Sequence, residues 1–191
     1  IIDLKKEANF VRNVELIPTT SGDPITQQSL QNENYIILSA LSAEKLQAKQ
    51  GESITLVATR NENGQEEKAL LQLKVQAILN EQQFPRAAIF VPMSLLIGVE
   101  DFRDGMKTEL FPAASGKPND KLRKNFARAR IYARSLDDVA PLALKLREQF
   151  HIDTRTESKA IENVTAIDSV LNVIFMVIAF QEEVGCVLSL M

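Results

Sequence analysis

The chain has 191 residues, 45% hydrophobic and 25% charged. That is enough apolar material for a real core and too much for wholesale disorder. A net charge of -3 gives no general attraction to nucleic acid, and the single cysteine, Cys186, excludes an intrachain disulfide framework. The chain opens Ile1-Ile2 with no methionine and no basic stretch leading into an apolar one. No signal peptide is visible, and the chain reads as a piece of a larger protein.

Taken in chain order, residues 1–35 are polar apart from Val14-Glu15-Leu16-Ile17-Pro18, and a strand or short helix is expected near Phe10 to Ile17. Thr19 to Pro24 (TTSGDP) reads as a turn-rich loop. Tyr35 to Leu38 (YIIL) reads as a short strand. Ser42 is the expected N-cap of a helix from Ala43 to Lys49, because its hydroxyl can accept from a free backbone N–H. Gly51 sits past that helix, where a left-handed residue is often required.

Ser53 to Arg60 is β-branched enough for a strand, and Asn63-Gly64 is a strong hairpin signal. The return run Lys68 to Ile78 places Ala69, Leu71, Leu73, Val75 and Ala77 on one face, with Gln72, Lys74 and Gln76 opposite. That period of two predicts one buried and one wet face. Ala87 to Val91 reads as a strand ended by Pro92, with a short helical turn over Met93 to Ile97. Phe102 to Asn125 reads as a long polar connection and the expected mobile loop.

Ala127 to Ala133 (ARARIYA) reads as a strand. Ser135, with Asp138 three residues on, predicts a capped helix whose stripe is Val139, Leu142, Ala143, Leu146 and Phe150. His151 to Thr156 is expected to be a short strand. From Glu157 the pattern is helical: Ile161, Val164, Ile167, Leu171, Ile174 and Ile178 lie near one stripe, and the polar residues thin out toward Phe180. Ser169 to Phe180 is too short to span a bilayer, which takes about 20 apolar residues. With Val184 to Met191 the length suffices, but Gln181, Glu182 and Glu183 interrupt it. Two readings stand: a helix that packs on a partner, or a membrane span in which three polar residues now sit. The expectation here is the second.

Few residues invite a reaction. No Walker-type phosphate loop occurs, and one His with one Cys makes the usual zinc ligand sets unattainable. A Cys186–His151 pair is read as a buried thiol and a surface imidazole. Asp137-Asp138 are read as helix-start charges rather than paired catalytic carboxylates. Asp168 and Asn172, one helical turn apart, read as a solvated face, with a contact between helices of a dimer as the alternative. The basic phrase holding Lys121, Arg123, Lys124, Arg128, Arg130 and Arg134, with Phe126 and Tyr132, could bind an anion or nucleic acid. Its alternation reads better as a strand with one wet face. Asn163-Val164-Thr165 has the form of a glycosylation acceptor. No catalytic, cofactor-binding or metal residue is assigned, and no enzyme is expected.

Three phrases in order carry a family resemblance: YIILSALSAEKLQAKQGESITL, AAIFVPMSLL and RIYARSLDDVAPLALKLREQFHIDTRT. The chain resembles the extracytoplasmic (periplasmic) domain of ABC-transporter permeases of the MacB/FtsX/LolC superfamily, over roughly Ile36 to Phe180. Ile37, Leu38, Ser39, Leu46, Gly51, Glu52, Ile54 and Leu56 take the places of the family's first phrase, with Glu52 where Asp is usual. Ala88, Ile89, Phe90, Val91, Pro92 and Leu95 take those of the second. The resemblance implies an α+β fold: a membrane-proximal α/β, porter-like subdomain (1–50 and 126–166) and an inserted β-rich, sabre-like subdomain (51–125). Residues 167–191 would be the start of a transmembrane helix or its stump. It further implies a non-enzymatic relay of ATP-driven motion in the bacterial inner membrane, with ATP on a separate cytoplasmic subunit or domain. The implied partners are a second permease copy, that ATP-binding subunit, and a periplasmic adaptor or exported substrate; no nucleic acid is expected. The alternative is a soluble α+β binding module that oligomerises through its apolar C-terminal helix.

Overall fold

The computed structural model describes residues 2–62, 64–119, 126 and 129–154. It divides into two units, Ile1–Asn125 and Phe126–Met191. The first holds six strands: β1 (Ile2–Lys6), β2 (Asn9–Pro18), β3 (Tyr35–Leu38), β4 (Ser53–Glu62), β5 (Gln65–Ile78) and β6 (Ala88–Val91). They close into a barrel in the order β1-β2-β6-β3-β5-β4. Two helices belong to the same unit, α1 (Ala40–Leu46) and α2 (Met93–Arg103).

This corrects the expected fold. The strand placed in a membrane-proximal α/β subdomain, β3, lies between β5 and β6, pairing parallel with the first and antiparallel with the second. The strands expected to form a separate β-rich insert therefore share one barrel with β1, β2 and β3. The physical reason lies in β3 and β6 themselves. All four residues of β6 are buried, and so are Ile36, Ile37 and Leu38 of β3. Strands that are apolar on both faces need cover on both faces and neighbours at both edges. Barrel closure supplies the edges.

Alternation divides those two strands between two cores. Ile36, Leu38, Ile89 and Val91 face the barrel interior with Leu4, Val14, Ile54, Leu56, Leu73 and Val75. Ile37, Ala88 and Phe90 face the other way, with Ile17, Leu79 and Phe84. Ile25 and Leu30 of the loop after β2 pack over this second core, in which Phe84 meets Phe90 edge-on at 5.3 Å.

The β4–β5 hairpin follows the expected register, from Ser53↔Lys74 to Glu62↔Gln65, with Gly64 at φ +81° in the turn. On β5, Ala69, Leu73 and Val75 are buried while Lys68, Leu70, Gln72 and Lys74 are exposed. The β1–β2 hairpin is only half legible in the sequence. Between Ile2 and Leu4 the register slips, and Asn13 adopts φ +58° while its N–H donates to Asp3 Oδ1 at 3.0 Å. This is a bulge held by a side chain.

Helix α1 begins three residues before its expected start. Its N-cap is Ser39, which accepts from Ser42 N–H at 3.3 Å. Ser39 Oγ also accepts from Ala88 N–H of β6 at 3.0 Å and donates to Ser42 Oγ at 3.1 Å. Both serines are fully buried. The hydroxyl that caps the helix therefore also satisfies a buried amide of another strand, which is why Ser39 holds the cap. The left-handed residue after α1 is Gln47, at φ +51°, and Gly51 (φ +86°) turns the chain later. Helix α2 is longer than the expected turn, because Val99 and Phe102 extend its buried stripe.

The second unit contains α3 (Val139–Phe150). Ser135 and Asp138 do meet: the Asp138 N–H donates to Ser135 Oγ at 3.3 Å, and that hydroxyl donates to Asp138 Oδ2 at 2.9 Å. They close the turn before the helix, whose N-cap is Asp138. No residue of α3 is buried: Val139, Leu142, Ala143 and Leu146 are half-buried, and Phe150 is exposed. The expected strand at Ala127 to Ala133 is corrected, since residues 129–133 are irregular and Ile131 and Tyr132 are exposed. The alternation of ARARIYA has the period of a strand but finds no strand partner among the described residues. His151 to Asp153 is likewise not a strand, and His151 ends α3 in the left-handed region at φ +53°. The helix expected from Glu157 to Phe180 and the apolar end after it lie outside the described residues.

Candidate functional site

The candidate site is the barrel end where the chain after α2, Asp104 to Asn119, is strapped to the β4–β5 hairpin. The anchor is Arg60, which sequence reasoning passed over as the end of a strand. It follows Ile54, Leu56 and Ala58 on the inward face of β4 and is buried like them. Directly across the hairpin stands Glu67.

All three guanidinium nitrogens are used. Nε donates to Glu67 Oε2 at 2.8 Å, and Nη1 donates to the Phe102 carbonyl at 2.8 Å. Nη2 donates to the Ser115 carbonyl at 2.6 Å and to Ser115 Oγ at 3.1 Å. Glu62 Oε2 lies 2.9 Å from Nη2 as an ion pair without hydrogen-bond alignment. Arg60 Cζ lies 4.4 Å from the centre of the Phe102 ring, and Phe102 meets Phe111 at 5.2 Å. A buried cation is tolerated here because carboxylates pair it and carbonyls accept from both of its terminal nitrogens.

The strap is fixed along its length. Lys107 N–H donates to the Lys117 carbonyl at 2.8 Å, and Lys117 N–H donates to the Gly105 carbonyl at 2.9 Å. Phe111 enters the main core at 5% exposure. Asn119 Nδ2 donates to Asp101 Oδ2 at 2.8 Å. Gly116 passes so close to the opposite run that a Cβ there would lie 2.7 Å from Lys107 N. The expected mobile loop is therefore, through Asn119, a pinned element; residues 120–125 lie outside the described residues. Its surface carries a depression of about 380 Å³, lined among others by Lys107, Glu109, Phe111, Pro112, Pro118 and Asn119. An ammonium, a carboxylate and an amide beside apolar groups suit recognition of a polar segment.

The electrostatics make the anchor sensitive to acid. Hydrogen bonding from Arg60 holds the Glu67 carboxyl below its ordinary value of 4.5, against partial opposition from burial and with help from the Ser115 amide. At the far side of the hairpin Glu52 is held low as well, first by Lys6 at 2.6 Å and then by the Lys49 amide. A carboxylate whose folded pKa is depressed contributes stability above its unfolded pKa and loses it as pH falls through the folded one. Hydrogen-exchange protection of the strap amides is therefore expected to fall as pH drops below 4.5, and Glu67→Gln should flatten that dependence. An unchanged slope in Glu67→Gln would assign the acid sensitivity elsewhere.

None of the residues singled out from the sequence belongs to this site's described residues. Asp137 and Asp138 are exposed at the start of α3, and His151 is exposed at its end. Arg130 and Arg134 are exposed, while Lys121, Arg123, Lys124 and Arg128 lie outside the described residues. So do Asn163, Val164, Thr165, Asp168, Asn172 and Cys186. Among the described residues no group of three or more His, Cys, Asp or Glu is placed to hold a metal. Also among them, no helix is long and apolar enough to cross a membrane. The signal that could have found Arg60 was present: an arginine in the inward register, with Asn63-Gly64 setting Glu67 opposite it. Compared with protein-family models and with curated proteins, the chain matches none.

Proposed function

We propose that this chain is the extracytoplasmic part of an ABC-type permease, anchored in the bacterial inner membrane, that carries ATP-driven motion of membrane helices outward. The observation that carries the reading is the sequence gradient from Glu157 to Phe180, polar at its start and without a polar residue from Val173 to Phe180. A helix patterned so suits a lever that leaves water at one end. The pinned strap supports the reading as well, because a relay works through a body that moves without deforming, while the closed barrel is not the fold that the resemblance implied. In this reading the domain is not an enzyme and ATP binds a separate cytoplasmic subunit. A second permease copy completes the pair, and an adaptor or exported substrate meets the outer surface, where the depression beside Lys107 and Glu109 offers recognition groups.

The test is a proline in the lever. Val164→Pro should uncouple ATP hydrolysis from export or partner activation in the intact transporter, because proline interrupts a helix at a cost of about 3 kcal/mol. Folding of the barrel, followed by exchange of β4 and β5 amides, should stay as before. Unchanged coupling in a folded variant would sink the lever. A second reading, a binding module that self-associates through apolar helices, is favoured by α3, whose stripe is half-buried at most. It predicts the same unchanged coupling and no anchoring in the membrane.

A further inference from the structure

The barrel closes with a strip of strand edge left over. β5 runs Gln65–Ile78, but β3 pairs with it only from Lys74 onward. From Gln65 to Leu73 the β3 side of β5 has no strand neighbour among the described residues. Hydrogen bonds at the junction fix which groups face that side. Lys74 N–H donates toward β3, to the Asn34 carbonyl at 2.9 Å, and Val75 N–H donates toward β4, to the Glu52 carbonyl at 2.8 Å. The β4–β5 register then runs without a break to Glu62↔Gln65. Alternation along a strand therefore turns the backbone N–H and C=O of Glu66, Lys68, Leu70 and Gln72 to the open edge. The same four side chains stand on the wet face, and Leu70 is 65% exposed, the highest of the large hydrophobics among the described residues.

We propose that this edge pairs antiparallel with the same edge of a second copy of the chain, about a twofold axis at Ala69. The occupant follows from length and charge. One antiparallel register matches all four open residues of one copy to all four of the other. It sets Glu66 opposite Gln72 of the second copy and Lys68 opposite its Leu70, each twice. No like charges face each other, the carboxylate meets an amide, and the lysine stem covers the leucine. On the inner face Ala69 meets Ala69 and Glu67 meets Leu71, again without like charges. Neighbouring registers fare worse. Centring on Lys68 opposes two lysines, and centring on Leu70 drives Glu66 of the second copy against Lys74, whose edge is already taken by Asn34. The exposed Glu66–Lys68 ion pair (2.7 Å) blunts indiscriminate pairing of the edge while leaving this register open. The result is a continuous four-stranded sheet, β4–β5 and its symmetry mate, joining two barrels. The pairing does not depend on the permease reading.

The test is a charge swap across the axis, read by sedimentation equilibrium of the 191-residue chain at low ionic strength. The unaltered chain should show a concentration-dependent dimer. Leu70→Lys sets an ammonium opposite Lys68 on both sides of the axis and should weaken the dimer by about tenfold. Adding Lys68→Glu to Leu70→Lys should bring it back, because a carboxylate then faces the introduced ammonium. Circular dichroism confirms that both variants fold. Three results would overturn the proposal: a monomer at every concentration up to about 1 mM, a dimer indifferent to Leu70→Lys, or a weakened dimer that the second substitution fails to restore in folded protein. Association through Ile167 to Met191 gives the second of these.

Discussion

Arg60→Met is expected to cost the barrel unit about 2–4 kcal/mol and to loosen the strap from the hairpin. Methionine keeps most of the volume beside Phe102 but supplies no donor. The Phe102 and Ser115 carbonyls, which accept from Nη1 and Nη2 at 2.8 and 2.6 Å, lose those bonds. Glu62 and Glu67 are then left as neighbouring carboxylates at the hairpin with no cation between them. Arg60→Lys should recover only part of the loss, since one ammonium cannot serve Glu67, Phe102 and Ser115 at once. Hydrogen exchange measures both effects on one sample: β4 and β5 amides report the unit's stability, and the amides of Phe111 to Lys117 report the strap. Full protection of the strap in Arg60→Met would mean that Phe111 and Gly116 hold it without the anchor.

Gly116→Ala is expected to act on the strap more sharply than its single methyl suggests. The added Cβ would lie 2.7 Å from Lys107 N and from Met106 C, both backbone atoms that cannot rotate away. The Lys107–Lys117 and Lys117–Gly105 hydrogen bonds must open to admit it, at a cost of about 1–3 kcal/mol. Gly98→Ala is the milder comparison. Its Cβ would meet Leu110 Cδ2 at 2.9 Å, Leu110 Cβ at 3.0 Å and Thr108 Oγ1 at 3.2 Å, side-chain atoms of the strap that must give by a few tenths of an ångström, where Gly116→Ala drives into backbone. Exchange of residues 105–117 should therefore quicken strongly in Gly116→Ala and less in Gly98→Ala, while β5 stays protected in both. Equal effects would show that the close approach at Gly116 does not fix the strap.

The parts of the fold that sequence pattern revealed are those whose causes are local. Asn63-Gly64 and the alternation from Ala69 to Ala77 specify the β4–β5 hairpin within one stretch of chain. The parts it missed depend on distant partners. Ser39 and Ser42 are equally good caps by composition, and what decides between them is an amide at Ala88. Phe102 to Asn125 is polar enough to look mobile, and what pins it is an arginine on another strand. The short β1 offers only Ile2 and Leu4 as inward residues, too few to show a period. Barrel closure was hidden for a similar reason. The continuous apolar runs of β3 and β6 say that both faces are buried, but not which strands stand at their edges. The candidate site was the least legible, because Arg60 becomes notable only when its inward register and the residue opposite are read together.

The most direct test of the functional reading is on which side of the membrane the barrel lies. Glu81 is exposed in the turn after β5. A Glu81→Cys reporter with Cys186→Ser, expressed in the full-length permease that this reading implies, can be probed in spheroplasts with a membrane-impermeant maleimide. The extracytoplasmic reading predicts labelling of intact spheroplasts to the same extent as after lysis. Labelling only after lysis would contradict it.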